Sequence, residues 1–122
     1  MGDKKQNDEF ILGPKDPKYM ESFYELDSIL STLDKDEYFV DFLSTKSLEA
    51  GIIRLRREQN DTQTSHPRDE IYYVIEGEGF LRIKRKNHRV RKGITVFVPA
   101  YTDHNFHGNQ RDLIVLYIFP KT

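Results

Sequence analysis

Cysteine is absent from all 122 residues, which excludes disulfides, thiolate zinc sites and a thiol nucleophile. Any bound metal must be held by histidine, carboxylate or neutral oxygen. Charge of one sign is not in excess either. Lys and Arg total 19 against 20 Asp and Glu, a formal net charge of -1, so no global field gathers nucleic acid or an anionic membrane. Long apolar runs are missing as well: none approaches the roughly 18 residues of a membrane span. The opening "MGDKKQNDEF" is charged where a secretory signal is apolar, and Gln6 stands where a myristoylation signal wants Ser or Thr. A soluble, cytoplasmic protein with no nucleic-acid or membrane partner is expected.

What is present fits one domain with a real core. Residues 1–20 carry Gly2, Gly13, Pro14 and Pro17 among many charges and read as a flexible arm, disordered or draped over a folded domain at 21–122. In "FYELDSILSTLDKDEY", Asp27 or Ser28 is placed to cap a short helix with Ile29, Leu30 and Leu33 on one side. From Tyr38 onward the chain turns to short β-rich runs, "YFVDFLS", "GIIRLRR", "EIYYVIEG", "GFLRIKR", "GITVFVP" and "DLIVLYIF", separated by Gly, Pro, Asn and Asp. The pattern predicts an all-β sandwich or small barrel.

In "SHPRDEIYYVIEGEG", a strand over residues 70–75 puts Glu70, Tyr72 and Val74 on one face and Ile71, Tyr73 and Ile75 on the other. His66 has the parity of Glu70, although Pro67 bends the segment and weakens the count. The pair is expected to point inward, where a carboxylate beside an imidazole needs a partner that a cation would satisfy. In "GITVFVPAYTDHNFHGN", Gly93 opens a strand, Pro99 ends it and His104 follows.

These residues resemble the cupin superfamily, whose motifs take the forms G(x)5HxH(x)3,4E(x)6G and G(x)5PxG(x)2H(x)3N. His66, Glu70 and Gly77 fall at the offsets of the first motif, and Gly93, Pro99 and His104 at those of the second. Thr64 stands in the place of the first motif histidine, Glu58 and Tyr101 in the places of two glycines, and Gly108 in that of the asparagine. The resemblance implies a double-stranded β-helix barrel of the jelly-roll type. It also implies a divalent metal ion, Fe, Mn, Ni or Zn, held by His66, Glu70 and His104, with the Gln63 amide oxygen as a further candidate ligand. A small molecule would bind in the barrel and undergo dioxygenation or isomerisation, with Tyr72 or Tyr101 supplying a hydrogen bond or proton. The alternative is a module that holds a ligand or metal without chemistry. Association as a homodimer is expected, with Ile71, Tyr73 and Ile75 suited to burial.

Other residues invite blander readings. His107 has the opposite parity to His104, and His88 lies in a basic hairpin, so both are expected at the surface. The seven basic residues from Arg82 to Lys92 form a solvated hairpin rather than a nucleic-acid patch. Tyr72, Tyr101 and Phe106 are pocket or core aromatics. Arg54 and Arg56 would meet an anionic substrate only if their face of the strand were the interior.

Overall fold

The computed structural model describes residues 21–121; the arm expected over 1–20 lies outside them. A short helix, α1 (Leu26–Leu30), precedes eight strands: β1 (Phe39–Ser44), β2 (Leu48–Leu55), β3 (Glu70–Glu76), β4 (Glu78–Ile83), β5 (Lys86–Arg91), β6 (Thr95–Val98), β7 (His104–His107) and β8 (Leu113–Pro120). They form two antiparallel sheets, one ordered β1-β2-β8-β3-β6 and the other β5-β4-β7. No ladder among the described residues joins the two sheets, so the barrel is open at its seams while the fold keeps the all-β character read from the sequence.

Alternation builds the core. Tyr72 and Val74 of β3 and Leu113, Val115 and Tyr117 of β8 face inward, and meet Leu81, Val90 and Phe106 of the smaller sheet. On β2 the inward residues are Ile53 and Leu55, which sends Arg54 outward to Asp112 at 2.9 Å. Arg56 turns to the carbonyls of Lys35 and Glu37. Neither arginine therefore occupies the interior.

The sequence reading passed over β5 and β7. In β5, "KNHRVR", only Val90 is buried, so the hairpin turn is shorter than expected and its basic residues belong to an exposed strand. β7, "HNFH", is too short to show a period. The helix cap differs too: Glu25 holds the N-cap position with no side-chain cap bond, and the Ser28 hydroxyl donates to Glu25 Oε1 at 3.1 Å. Ile29 and Leu33 are buried, with α1 packed on β2. Further along the same large sheet, Ile71, Tyr73 and Phe97 remain exposed. No helix of the described residues is long and apolar enough to cross a membrane.

Candidate metal centre

The loop leading into β3 brings His66 to the sheet. Its carbonyl accepts the Tyr101 N–H at 2.8 Å, and Asp69 Oδ1 accepts the Ala100 N–H at 3.0 Å. These bonds tie the loop to the segment after β6, which also carries His104 at the start of β7. The backbone explains how the motif survives its departures. Glu58 (φ 64) and Tyr101 (φ 62), at the places of two motif glycines, both hold the left-handed conformation. Gly108 (φ 75) displaces the motif asparagine, and Asn109, one residue later, is buried and donates to the carbonyls of Leu55 and Arg111 at 2.8 and 2.9 Å.

His66, Glu70 and His104 converge, with one potential ligand atom from each lying within 4.8 Å of the others. His66 Nε2 lies 2.9 Å from Glu70 Oε1, and His104 Nε2 lies 3.4 Å from the same oxygen. Glu70 is 4% exposed and His104 1%. At the middle stands the Tyr72 hydroxyl, fully buried, 3.0 Å from Glu70 Oε1, 3.0 Å from Gln63 Oε1 and 2.9 Å from His104 Nε2.

Proton positions follow from the partners. The Thr102 carbonyl, 2.7 Å from His104 Nδ1, can only accept, so Nδ1 carries a hydrogen and Nε2 is aimed at the centre. Burial by itself lowers the His104 pKa, but the hydrogen bonds to Glu70 and to the Thr102 carbonyl outweigh it and raise the value overall. Burial, reinforced by the neighbouring Glu70 charge, pushes the Tyr72 phenol far above its ordinary value, so it is a hydrogen-bond donor here. The phenolic proton thus faces the oxygens of Glu70 and Gln63 and, when His104 is neutral, its Nε2 as well. His66, donating through Nε2 to the carboxylate, leaves Nδ1 buried without a partner. Two imidazoles with a carboxylate, their ligand atoms converging in a buried space, form a fitting donor set for a divalent transition metal.

Gln63 is oriented from behind: its Nε2 donates to Asp61 Oδ2 at 2.6 Å, and the same oxygen accepts the Phe106 N–H at 2.7 Å. Asp61 was not singled out from sequence; its place three residues before Thr64 carries no signal of its own. Thr64 is exposed and Gln63 beside it turns inward. Tyr101 is 77% exposed, and its ring lies outside the cluster. His107 stacks on Phe80 and bonds Asn87 Oδ1 at 2.8 Å, away from the centre, and His88 is exposed.

A cavity of about 270 Å³ opens beside the centre. Gln63, His66 and Glu70 line it together with Asp41, Glu49 and Tyr117, and Tyr38, Phe39 and Phe119 add aromatic surface. A wider depression of about 1070 Å³ lies elsewhere, around Arg57, Glu76, Arg89 and Arg111, and none of the candidate ligands lines it.

Residues 52–119 match the family described as Cupin domain. An uncharacterised protein of Streptomyces coelicolor is 32% identical over 84 residues, covering 69% of this chain and 80% of that one. Among solved structures, KdgF from Halomonas sp. superposes with a TM-score of 0.62 at 22% identity, covering 69% of this chain and 77% of that one. The DMSP lyase DddQ from Ruegeria pomeroyi gives 0.61 at 21% identity, covering 72% of this chain and 50% of its own longer chain. The matched segment runs from within β2 into β8 and takes in all four candidate ligands, Gln63, His66, Glu70 and His104, and the chain belongs to the cupin superfamily.

Proposed function

We propose that this cupin is a metal-dependent enzyme that transforms a small molecule, by dioxygenation or isomerisation, in the cavity beside Glu70. The observation that carries the reading is the convergence of His66, Glu70 and His104 on a buried centre at the edge of a cavity. At about 270 Å³ the cavity falls just below the usual range of small-molecule pockets, roughly 300–1,000 Å³, which favours a compact substrate.

His66, Glu70 and His104 would hold the ion, with Gln63 as a further oxygen ligand. The bound ion would supply Lewis acidity and open coordination positions for substrate. Thr102 fixes the His104 ring so that Nε2 is the ligating atom, and Asp61 fixes the Gln63 amide so that its oxygen faces inward. The Tyr72 hydroxyl is the proton-bearing group nearest the centre and is positioned to donate a hydrogen bond to a substrate oxygen. Tyr101, exposed and absent from the cavity wall, has less to recommend it in that role. The exposed Ile71, Tyr73 and Phe97 on the outer sheet face support assembly as a homodimer.

The test is metal content followed by turnover. Protein purified without an affinity tag and loaded anaerobically with Fe, Mn, Ni or Zn should retain one ion per chain and turn over a member of an oxygen-dependent or isomerase substrate panel. His104→Ala should keep its β circular dichroism and lose both ion and turnover. Equal turnover in the variant would refute the reading, and tight ligand binding with no metal and no product would support the non-catalytic alternative.

A further inference from the structure

The cavity beside the candidate centre has no Lys or Arg among its lining residues, and each carboxyl group there already has a partner. Glu70 meets His66 and the Tyr72 hydroxyl, and Asp41 accepts from the Tyr117 hydroxyl. Glu49 lies 3.6 Å from Lys121 Nζ, which also donates to Ser44 Oγ. Arg68 differs. It stands in the loop between His66 and Glu70, partly buried, with its guanidinium carbon 5.9 Å from the centroid of the Phe119 ring, within range of a cation–π contact. No ion pair or hydrogen bond joins that guanidinium to another of the described residues.

The ring beneath it belongs to the cavity. Phe119 lines the wall, tilts against the His66 imidazole at 5.5 Å and stacks on Tyr117 at 6.0 Å. The backbone is pinned on either side of Arg68, since the His66 carbonyl accepts the Tyr101 N–H and Asp69 Oδ1 accepts the Ala100 N–H. A fixed loop thus holds an uncompensated cation on the same ring that a candidate ligand touches. Its forked N–H donors match a carboxylate. Arg54 and Arg56, the other arginines suited by sequence to an anionic substrate, are committed to Asp112 and to backbone carbonyls.

We propose that Arg68 is a specificity-determining residue of the cavity and that the molecule it selects is a compact monocarboxylate, its carboxylate paired with the Arg68 guanidinium and its body against the Phe119 ring. The inference rests on the reading of the cavity as a reaction site and names the substrate class for it. One guanidinium balances one negative charge, and Asp41 and Glu70 on the lining repel a second. Phosphate dianions are therefore disfavoured.

Benzoate, which joins one carboxylate to a ring able to lie on Phe119, is the probe. It is titrated into the isotope-labelled full chain, chelator-treated or zinc-loaded, while heteronuclear NMR follows the Arg68 Nε–H and the Phe119 amide. Saturable shifts at both are expected with or without the ion. Benzamide, of similar shape but uncharged, should leave them unmoved, and phenyl phosphate should bind more weakly than benzoate. Arg68→Gln should weaken benzoate by roughly tenfold or more, as loss of a charge-assisted pair predicts, and Arg68→Lys should recover part of that loss; circular dichroism verifies the fold of both. No shift at Arg68 in the chelator-treated chain, an affinity unchanged in Arg68→Gln, or benzamide binding as tightly as benzoate would overturn the proposal. Tighter binding of phenyl phosphate would overturn the monocarboxylate class. Since the chelator-treated arm contains no ion, its failure is distinct from failure of the metal reading, which shows as zinc that is not retained.

Discussion

The Tyr72 hydroxyl lies 2.9 Å from His104 Nε2, one residue from each of the two sheets. That contact joins the sheets at the candidate centre, where the same hydroxyl also donates to Gln63 and Glu70. Removing the hydroxyl in Tyr72→Phe leaves Gln63, Glu70 and His104 short of a donor. A loss of about 1–3 kcal/mol is expected in metal-free protein, the usual cost of unsatisfied buried polar groups. Urea unfolding with and without bound ion checks this, since an ion that satisfies the same acceptors should shrink the difference.

Metal addition should itself stabilise the protein. An ion present at a hundred times its dissociation constant contributes about 2.7 kcal/mol, several degrees in Tm for a domain of this size. Thermal unfolding of chelator-treated protein titrated with each divalent ion should show the rise, and Glu70→Gln should abolish it. An unchanged Tm with every ion would count against the centre.

The two left-handed side chains at motif glycine positions carry a cost. A non-glycine residue in that conformation is strained by roughly 1–2 kcal/mol, partly offset by the greater unfolded-state entropy of glycine. Tyr101 is exposed, so Tyr101→Gly forfeits little packing and should stabilise the fold by about 0.5–1 kcal/mol. Glu58→Gly should act in the same direction. Denaturant midpoints with unchanged m-values would verify both.

Gly51→Ala should be severely destabilising. The new Cβ meets not only the Tyr117 ring but also the Val40 backbone carbonyl at 2.5 Å, which cannot swing aside. A loss of about 3 kcal/mol, the upper end for overpacking, is expected in chemical denaturation. Tyr117→Phe, which deletes only the bond to Asp41, should cost about 0.5–1.5 kcal/mol.

Glu49 also sets a pH dependence. Its folded pKa is raised, so the folded state binds this proton more tightly than the unfolded chain does. The favourable contribution is complete below the unfolded glutamate pKa and is lost as pH rises through the folded value. Wild-type stability should therefore decline across that window relative to Glu49→Gln, which has no proton to lose. Tm measured across mildly acidic to neutral pH in both proteins decides it.

Much of the centre was legible because spacing survives where identity does not. His66, Glu70 and His104 sit at offsets that strand alternation converts into convergence, and Gly77 and Gly93 still mark left-handed turns. Thr64 was less informative than its position promised, since it is exposed and Gln63 faces inward in its stead. β5 escaped notice because a strand with one buried residue has no hydrophobic alternation to read. The rest of the polar cavity lining was not legible at all. Asp41, Glu49 and Tyr117 are far apart in the chain, and only the register of β1 on β2 and of β2 on β8 brings them together.

The division of the centre between the sheets has a mechanical consequence. Glu70 and Tyr72 ride on β3, in the larger sheet, with His66 on the loop that leads into it, while His104 belongs to β7 in the smaller one. The two sheets share no ladder among the described residues, so an ion ligated from both sides would act as a clasp beside the Tyr72–His104 contact that bridges the seam. Amide exchange in β7 should slow when the ion binds, whereas the central strands β2 and β8, ladder-bonded on both edges, should hardly respond.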